Sequence, residues 1–225
     1  WNALITDPGY RAEGEVAYRQ NIANFFARLR SSPGAALANS IGGILSDNDP
    51  RFTLQTPEAY AALGFEKLRA SLTDRLTNGA LEIAIVGDID EAAAIDAVAR
   101  TFGVLPPREA DFRPYAAQRQ RSFTTKRGVR EIRHTGQANQ AIVRMVWPTR
   151  DDSDADEAVA LSLLDSVVGI EVLDTVREKL GKAYSPGVGS NLSRTFRGYG
   201  VLMMRASVDV KEVSATRAAI LETLA

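Results

Sequence analysis

Apolar positions along the first hundred residues repeat at helical spacing. Tyr18, Ile22, Phe25, Phe26 and Leu29 follow the i, i+4, i+7, i+8, i+11 pattern of one helix face, with Arg19, Arg28 and Arg30 turned away from it. Ser32-Pro33 opens a second helix, Ser as the side-chain acceptor and Pro in the first turn, where a missing N–H costs nothing. Leu37, Ile41, Ile44 and Leu45 form its apolar face, and Asp47-Asn48-Asp49-Pro50 stops it. Thr56-Pro57-Glu58 repeats the start signal, and the spacing predicts a further helix over Phe65 to Leu76, ended by Asn78-Gly79. Leu81 to Val86 (LEIAIV) is short and nearly all apolar, which predicts a strand covered on both faces. A turn at Gly87-Asp88-Ile89-Asp90 then leads into a helix over Ala92 to Phe102 begun by Asp90.

Residues Leu105 to Gln120 carry three prolines and no periodicity, and read as a linker. Beyond them the pattern changes to strands: Val129 to His134, then Gln140 to Trp147, an apolar run around the single charge of Arg144, ended by Pro148. Ser153 begins a helix carrying Val159, Leu163, Leu164, Val167 and Val168. A helical stretch from Val172 follows, with Leu173, Val176 and Leu180 in register and Gly181 as its C-cap. Ser185 to Ser193 and Tyr199 to Val208 are two strands joined through Thr195-Phe196-Arg197-Gly198, a hairpin, and Val213, Ile220, Leu221 and Leu224 mark a last helix. Strands mixed with pairs of helices on both sides of the linker predict an α+β fold, each half a sheet covered on one face by helices.

A chain of 225 residues is long enough for one large or two small domains, each with its own core. Its 27 basic and 28 acidic residues nearly cancel, which gives no electrostatic case for nucleic acid or an anionic membrane surface. The absence of cysteine removes disulfides, thiolate metal sites and a cysteine nucleophile. The longest uncharged run, Ser31 to Ser46, is interrupted by Pro33 and three glycines and is too short for a membrane span. With no initiating Met and a helix still running at Ala225, the sequence reads as a piece of a longer, soluble protein; its compartment, with the bacterial periplasm and the cytoplasm both open, is not written in these residues.

Candidate chemistry is sparse. Asp152, Asp154 and Asp156 begin like a calcium loop, but its sixth and twelfth positions are Glu157 and Leu163 instead of Gly and an acid, so an acidic helix entry is the better reading. Gly187-Val188-Gly189 lacks the third glycine and the following helix of a dinucleotide site. Asp88 and Asp90 are explained by turn and cap duty, and the lone His134 has neither metal-ligand partners nor a triad. The stretch Val172 to Asn191 (VLDTVREKLGKAYSPGVGSN) stands out. Arg177 on the last helical turn and Tyr184 seven residues on can converge as a cation and a phenol on one surface. On residue type alone, Arg177 pairing with Asp174 and Tyr184 as a half-buried strand aromatic is the favoured reading.

The run LEIAIVGDIDEAAAIDAVARTFGVLPPR resembles the strand, turn and helix that close a domain in the pitrilysin/insulinase family of zinc metallopeptidases, which includes the mitochondrial processing peptidase and the core subunits of the respiratory bc1 complex. TPEAYAALGFEKLRASL is similar to the helical pair before that strand, and VREKLGKAYSPGVGSN to the family's Arg/Tyr segment, in the same order along the chain. The resemblance implies a metallopeptidase/mitochondrial-processing-peptidase-like fold with mixed or antiparallel sheets. Residues 1–104 would be the C-terminal part of one α+β domain, 105–120 a linker, and 121–225 the N-terminal part of the next. It also implies a fragment of the C-terminal half, which does not bind zinc; zinc, a glutamate base and the inverted His-x-x-Glu-His motif would lie outside these residues, in an N-terminal half or partner subunit. On that resemblance no residue here is catalytic or a metal ligand, and Arg177 and Tyr184 would bind the peptide substrate and its developing oxyanion. Lys182 and Pro186-Gly187 depart from the commonest pattern, which leaves substrate preference open. A non-catalytic partner or core-type structural subunit, a dimeric assembly among its forms, is the alternative, and a peptide-binding or assembly module using a free sheet edge is a third reading.

Overall fold

The structure is a computed structural model that describes residues 2–180 and 186–224, the side chains of 176–180 apart. The chain forms two compact units that are discontinuous in sequence, unit 1 from Trp1–Asn24 and Thr56–Tyr115, unit 2 from Phe25–Gln55 and Ala116–Ala225.

Unit 1 is helical. It contains α1 (Asn2–Thr6), most of α2 (Ala12–Arg28), α4 (Pro57–Ala61), α5 (Phe65–Asn78) and α6 (Glu91–Thr101). The starts follow the local chemistry: Thr56 accepts from Ala59 N–H, and Asp90 from Ala93 N–H at 2.8 Å. Glu15 of α2 accepts from Phe65 N–H at 3.1 Å, so α5 is capped from another helix. The peptide hydrogen bond from Phe65, with Arg19 adding to it, holds the Glu15 carboxyl below its ordinary range. The proline-rich segment after α6 is tied down, with Arg108 donating to Gly79 O at 2.7 Å and Arg113 paired with Asp74 and Glu109.

The strand expected at Leu81–Val86 does not form. The run has no regular structure and pairs with nothing among the described residues, and its side chains are exposed, Val86 by 97%. Apolar content favours a strand only where a neighbouring backbone supplies the ladder. Val129–His134 departs from expectation in the same way. Its flanks are tied elsewhere, Thr124 N–H to Leu45 O and Thr135 N–H to Arg30 O.

Unit 2 carries the sheet: β1 (Gln140–Thr149), β2 (Gly187–Leu192) and β3 (Gly200–Asp209), antiparallel in the order β1-β3-β2. Two helices, α7 (Ala155–Leu180) and α8 (Val213–Thr223), cover one face. Val143, Met145 and Trp147 of β1 lie opposite Ala206, Met204 and Leu202 of β3 and share that face. The deepest packing joins Met204 to Val172 and Ile220, each 1% exposed. On the other face α3 (Pro33–Leu45) comes up to β1, its start fixed by Ser32 accepting from Ala35 N–H and its end turned by Asp47 and Asn48 at φ 52° and 65°. Gly42 has to be glycine, because a Cβ there would sit 2.2 Å from Phe52 O.

Pro148 does not end β1, which runs on to Thr149. It occupies an edge position where its missing N–H breaks no ladder bond. Arg121 sits among rings of the same unit, 3.8 Å from the Phe52 centroid and 4.1 Å from that of Tyr199. Burial pushes the Tyr199 phenol up, with the guanidinium charge opposing.

Candidate functional site

The expected Arg/Tyr segment lies between α7 and β2, and the structure fixes both of its flanks. α7 opens at Asp154, whose carboxylate accepts from Asp156 and Glu157 N–H at 3.0 Å each; Ser153, the expected cap, instead donates to Asp151. The two helical stretches read from the sequence are one helix of 26 residues, about 39 Å long at 1.5 Å per residue. Gly169 between them faces Val188 and does not interrupt it. On the sheet side, Asp165 accepts from Ser190 N–H (2.8 Å) and Ser190 Oγ–H (2.6 Å), which pins β2 to the middle of α7. Its other oxygen is buried without a partner. Near the end of α7, Thr223 donates to Thr175 Oγ1 at 3.0 Å and holds α8 alongside.

Arg177 therefore sits in the last turn of α7, two residues beyond the Thr175 anchor. Its side chain, and Tyr184 entirely, lie outside the described residues. Lys182 does too.

The acidic cluster is spent on structure. Asp152 pairs with Arg194 at 3.0 Å, and Asp151 accepts from Gly198 N–H at 2.6 Å, closing the hairpin turn onto the start of α7. The Ser153 hydroxyl and then the Gly198 N–H hold the Asp151 carboxyl below its ordinary range. His134 accepts from Gly136 N–H at Nδ1, so Nε2 carries the proton and donates to Gln140 O at 2.8 Å. Among the described residues no three His, Cys, Asp or Glu side chains are placed to hold a metal ion.

Two features were missed in the sequence. α7 has a second apolar stripe, Val159, Leu163, Val167 and Ile170, facing outward and 58–64% exposed. Arg144, the lone charge in β1, lies directly opposite Arg205 of β3. The signal for the second was the charge itself, standing in an apolar run.

Residues 62–225 match the family described as the peptidase M16 inactive domain. The chain belongs to this family. Among solved structures, the peptidase M16 inactive domain from Pseudomonas fluorescens superposes with a TM-score of 0.71 at 17% identity, over 99% of this chain and 53% of that one. The periplasmic protease PqqL from Escherichia coli does so with 0.69 at 12% identity, over 93% of this chain and 23% of that one. At these identities the likeness is one of fold, and it bears out the α+β class; the family match bears out a piece of the inactive, C-terminal half. The chain spans about half the length of the first structure and about a quarter of the second. No curated protein matches in sequence. Among the described residues no helix is long and apolar enough to cross a membrane.

Proposed function

We propose that this chain is the non-catalytic part of a zinc-dependent peptidase that cleaves peptides enclosed between two halves. The observation that carries the reading is the match of residues 62–225 to the inactive-domain family, supported by a shared fold over nearly the whole chain. The zinc ion and the glutamate base belong to an N-terminal half or partner subunit, and when bound the metal supplies the activated water that attacks the scissile carbonyl. This chain contributes donors. Arg177 offers a fixed fork of N–H groups and Tyr184 a phenolic O–H, chemistry suited to a peptide carbonyl and to the negative charge that grows on it. Anchors at Thr175 and Ser190 support the role, because a donor assists a transition state only if its backbone is held in place before the substrate arrives.

The test is peptide hydrolysis by the zinc-binding half combined with this chain. Arg177→Ala and Tyr184→Phe are each expected to lower turnover by roughly 100-fold or more, with the far-UV spectrum and melting temperature unchanged. Unchanged turnover in both variants would overturn the assigned roles. If the wild-type combination shows no hydrolysis at all, the chain is instead a structural partner of the core-subunit kind.

A further inference from the structure

A groove of about 410 Å³ runs along the outer edge of β1 in unit 2. Every residue from Ile142 to Trp147 lines it, odd and even alike, so it follows the strand's edge and not one face. Its far wall is the irregular segment around Lys126 to Ile132, and α3 and α8 close it on either side.

The phase of β1 shows what the edge presents. Val210 N–H donates to Asn139 O at 2.9 Å, and the pairing continues as Gln140 opposite Asp209. In an antiparallel ladder alternate residues turn their main-chain groups to the same neighbour, so 139, 141, 143, 145 and 147 face β3. Ile142, Arg144 and Val146 then turn three N–H and three C=O groups to the groove. Two independent details agree: Gln140 O is met from outside by His134 Nε2, and Pro148, which has no N–H, falls on an outward position. Among the described residues nothing bonds to those six groups.

The charge of the groove is one-sided. Lys126, Arg127, Arg130, Arg144 and Arg217 line it, and no carboxylate does. Arg144 is the one with a buried donor left unmatched, although its Nη2 donates to Met203 Sδ. It faces Arg205 across the ladder, has no acidic partner among the described residues, and its Nε is buried without an acceptor. Burial, with Arg205 adding to it, lowers its proton affinity. A buried donor left unmatched is unfavourable, and an incoming carboxylate would recover that loss.

We propose that the outer edge of β1 is a strand-accepting site, and that its occupant is a separate extended peptide with an acidic residue at Arg144 flanked by apolar residues. The peptide adds to the sheet next to β1, bonding to Ile142, Arg144 and Val146, with its carboxylate against the Arg144 guanidinium and its alternate side chains on the apolar lining. Pro148 and the His134 contact to Gln140 bound the ladder at its two ends. The site does not depend on the roles proposed for Arg177 and Tyr184.

The experiment titrates the 225-residue chain with fluorescein-labelled seven-residue peptides alternating Val with Glu, or Val with Lys, and reads anisotropy together with emission from Trp147 in the groove wall. The Glu peptide is expected to bind, the Lys peptide to bind at least tenfold more weakly, and Arg144→Gln to weaken the Glu peptide at least tenfold. Methylating alternate backbone nitrogens of the Glu peptide, in the phase that faces β1, should abolish binding without touching the protein, so the result stands even if Arg144→Gln folds poorly. No binding of the Glu peptide, equal binding of both peptides, or indifference to N-methylation would overturn the proposal. In a longer form of the polypeptide, lost peptide binding with slowly exchanging Ile142, Arg144 and Val146 amides would overturn the separate peptide in favour of a strand of the same polypeptide.

Discussion

The two units are built from similarly patterned sequence and differ in what they bury. Unit 2 holds every fully buried side chain among the described residues, from Ala36 in α3 to Ile220 in α8, whereas unit 1 has none. Unit 1 has comparable apolar runs, including LEIAIV, but Leu68, Ile83 and Ile95 all remain well exposed. Its helices are defined by caps, ion pairs and ring contacts, such as Tyr18 O–H to Tyr60 O at 2.9 Å and the edge-on pair of Tyr10 and Phe65. Helix boundaries can thus be specified by a few local hydrogen bonds, while a core requires strands that are present together. Burial is where most folding free energy comes from, so the two units should answer perturbation differently.

The sharpest separation should come from truncating the core. Met204→Ala removes a side chain packed between Val172 and Ile220 and is expected to cost about 2–5 kcal/mol, read by urea denaturation with Trp147 fluorescence. Leu68→Ala in unit 1, at a residue 44% exposed, should cost well under that. Equal costs would break the contrast. Helix caps come next. Ser32→Ala in unit 2 and Asp90→Ala in unit 1 each remove one capping bond worth about 0.5–2 kcal/mol. Ser32→Ala should lower the cooperative midpoint, whereas Asp90→Ala should only speed amide exchange across α6 and leave that midpoint in place. The smallest effect is electrostatic. Asp49 in unit 2 and Asp74 in unit 1 are both held at about 2, chiefly by hydrogen bonds from Arg51 and Arg113 respectively. A folded value below the unfolded one gives stability that is complete above about pH 4 and is lost as pH falls toward 2. Both carboxylates are exposed, so the dependence should shrink with added salt. Only Asp49→Asn is expected to flatten the acid limb of the Trp147 transition, because Arg51 also donates to Gln118 O and Gln120 O and ties two stretches of unit 2 together.

Most helix starts were legible because their causes lie within four residues. Ser32, Thr56 and Asp90 all cap as their sequence contexts predict, and the hairpin between β2 and β3 forms around Gly198. What was not legible depends on distant partners. Nothing local distinguishes Leu81–Val86, which stays unpaired, from Gln140–Thr149, which acquires β3 about sixty residues later. Opposed Arg144 and Arg205 could not be seen before the register was known, since a slip of one residue would have placed Arg144 across from Ala206 or Met204. The outward stripe of α7 was hidden because Val159, Leu163 and Val167 fit the same periodicity as the inward-facing Val168 and Val172. Arg177 and Tyr184 were singled out by their spacing across the end of a predicted helix, the family resemblance gave them a role, and that role rests on the hydrolysis experiment.

Pro148 makes β1 intolerant of changes in length while leaving it tolerant of many changes in identity. Its ring nitrogen can face only the side where no ladder bond is made, and that side is set by counting in twos from Asn139. Inserting or deleting one residue between Gln140 and Val143 would turn the proline toward β3, remove a ladder bond and carry Arg144 and Val143 to each other's faces. Drift of this segment over time is thus confined to replacements and even-numbered length changes, with the imino acid acting as a parity check on the strand.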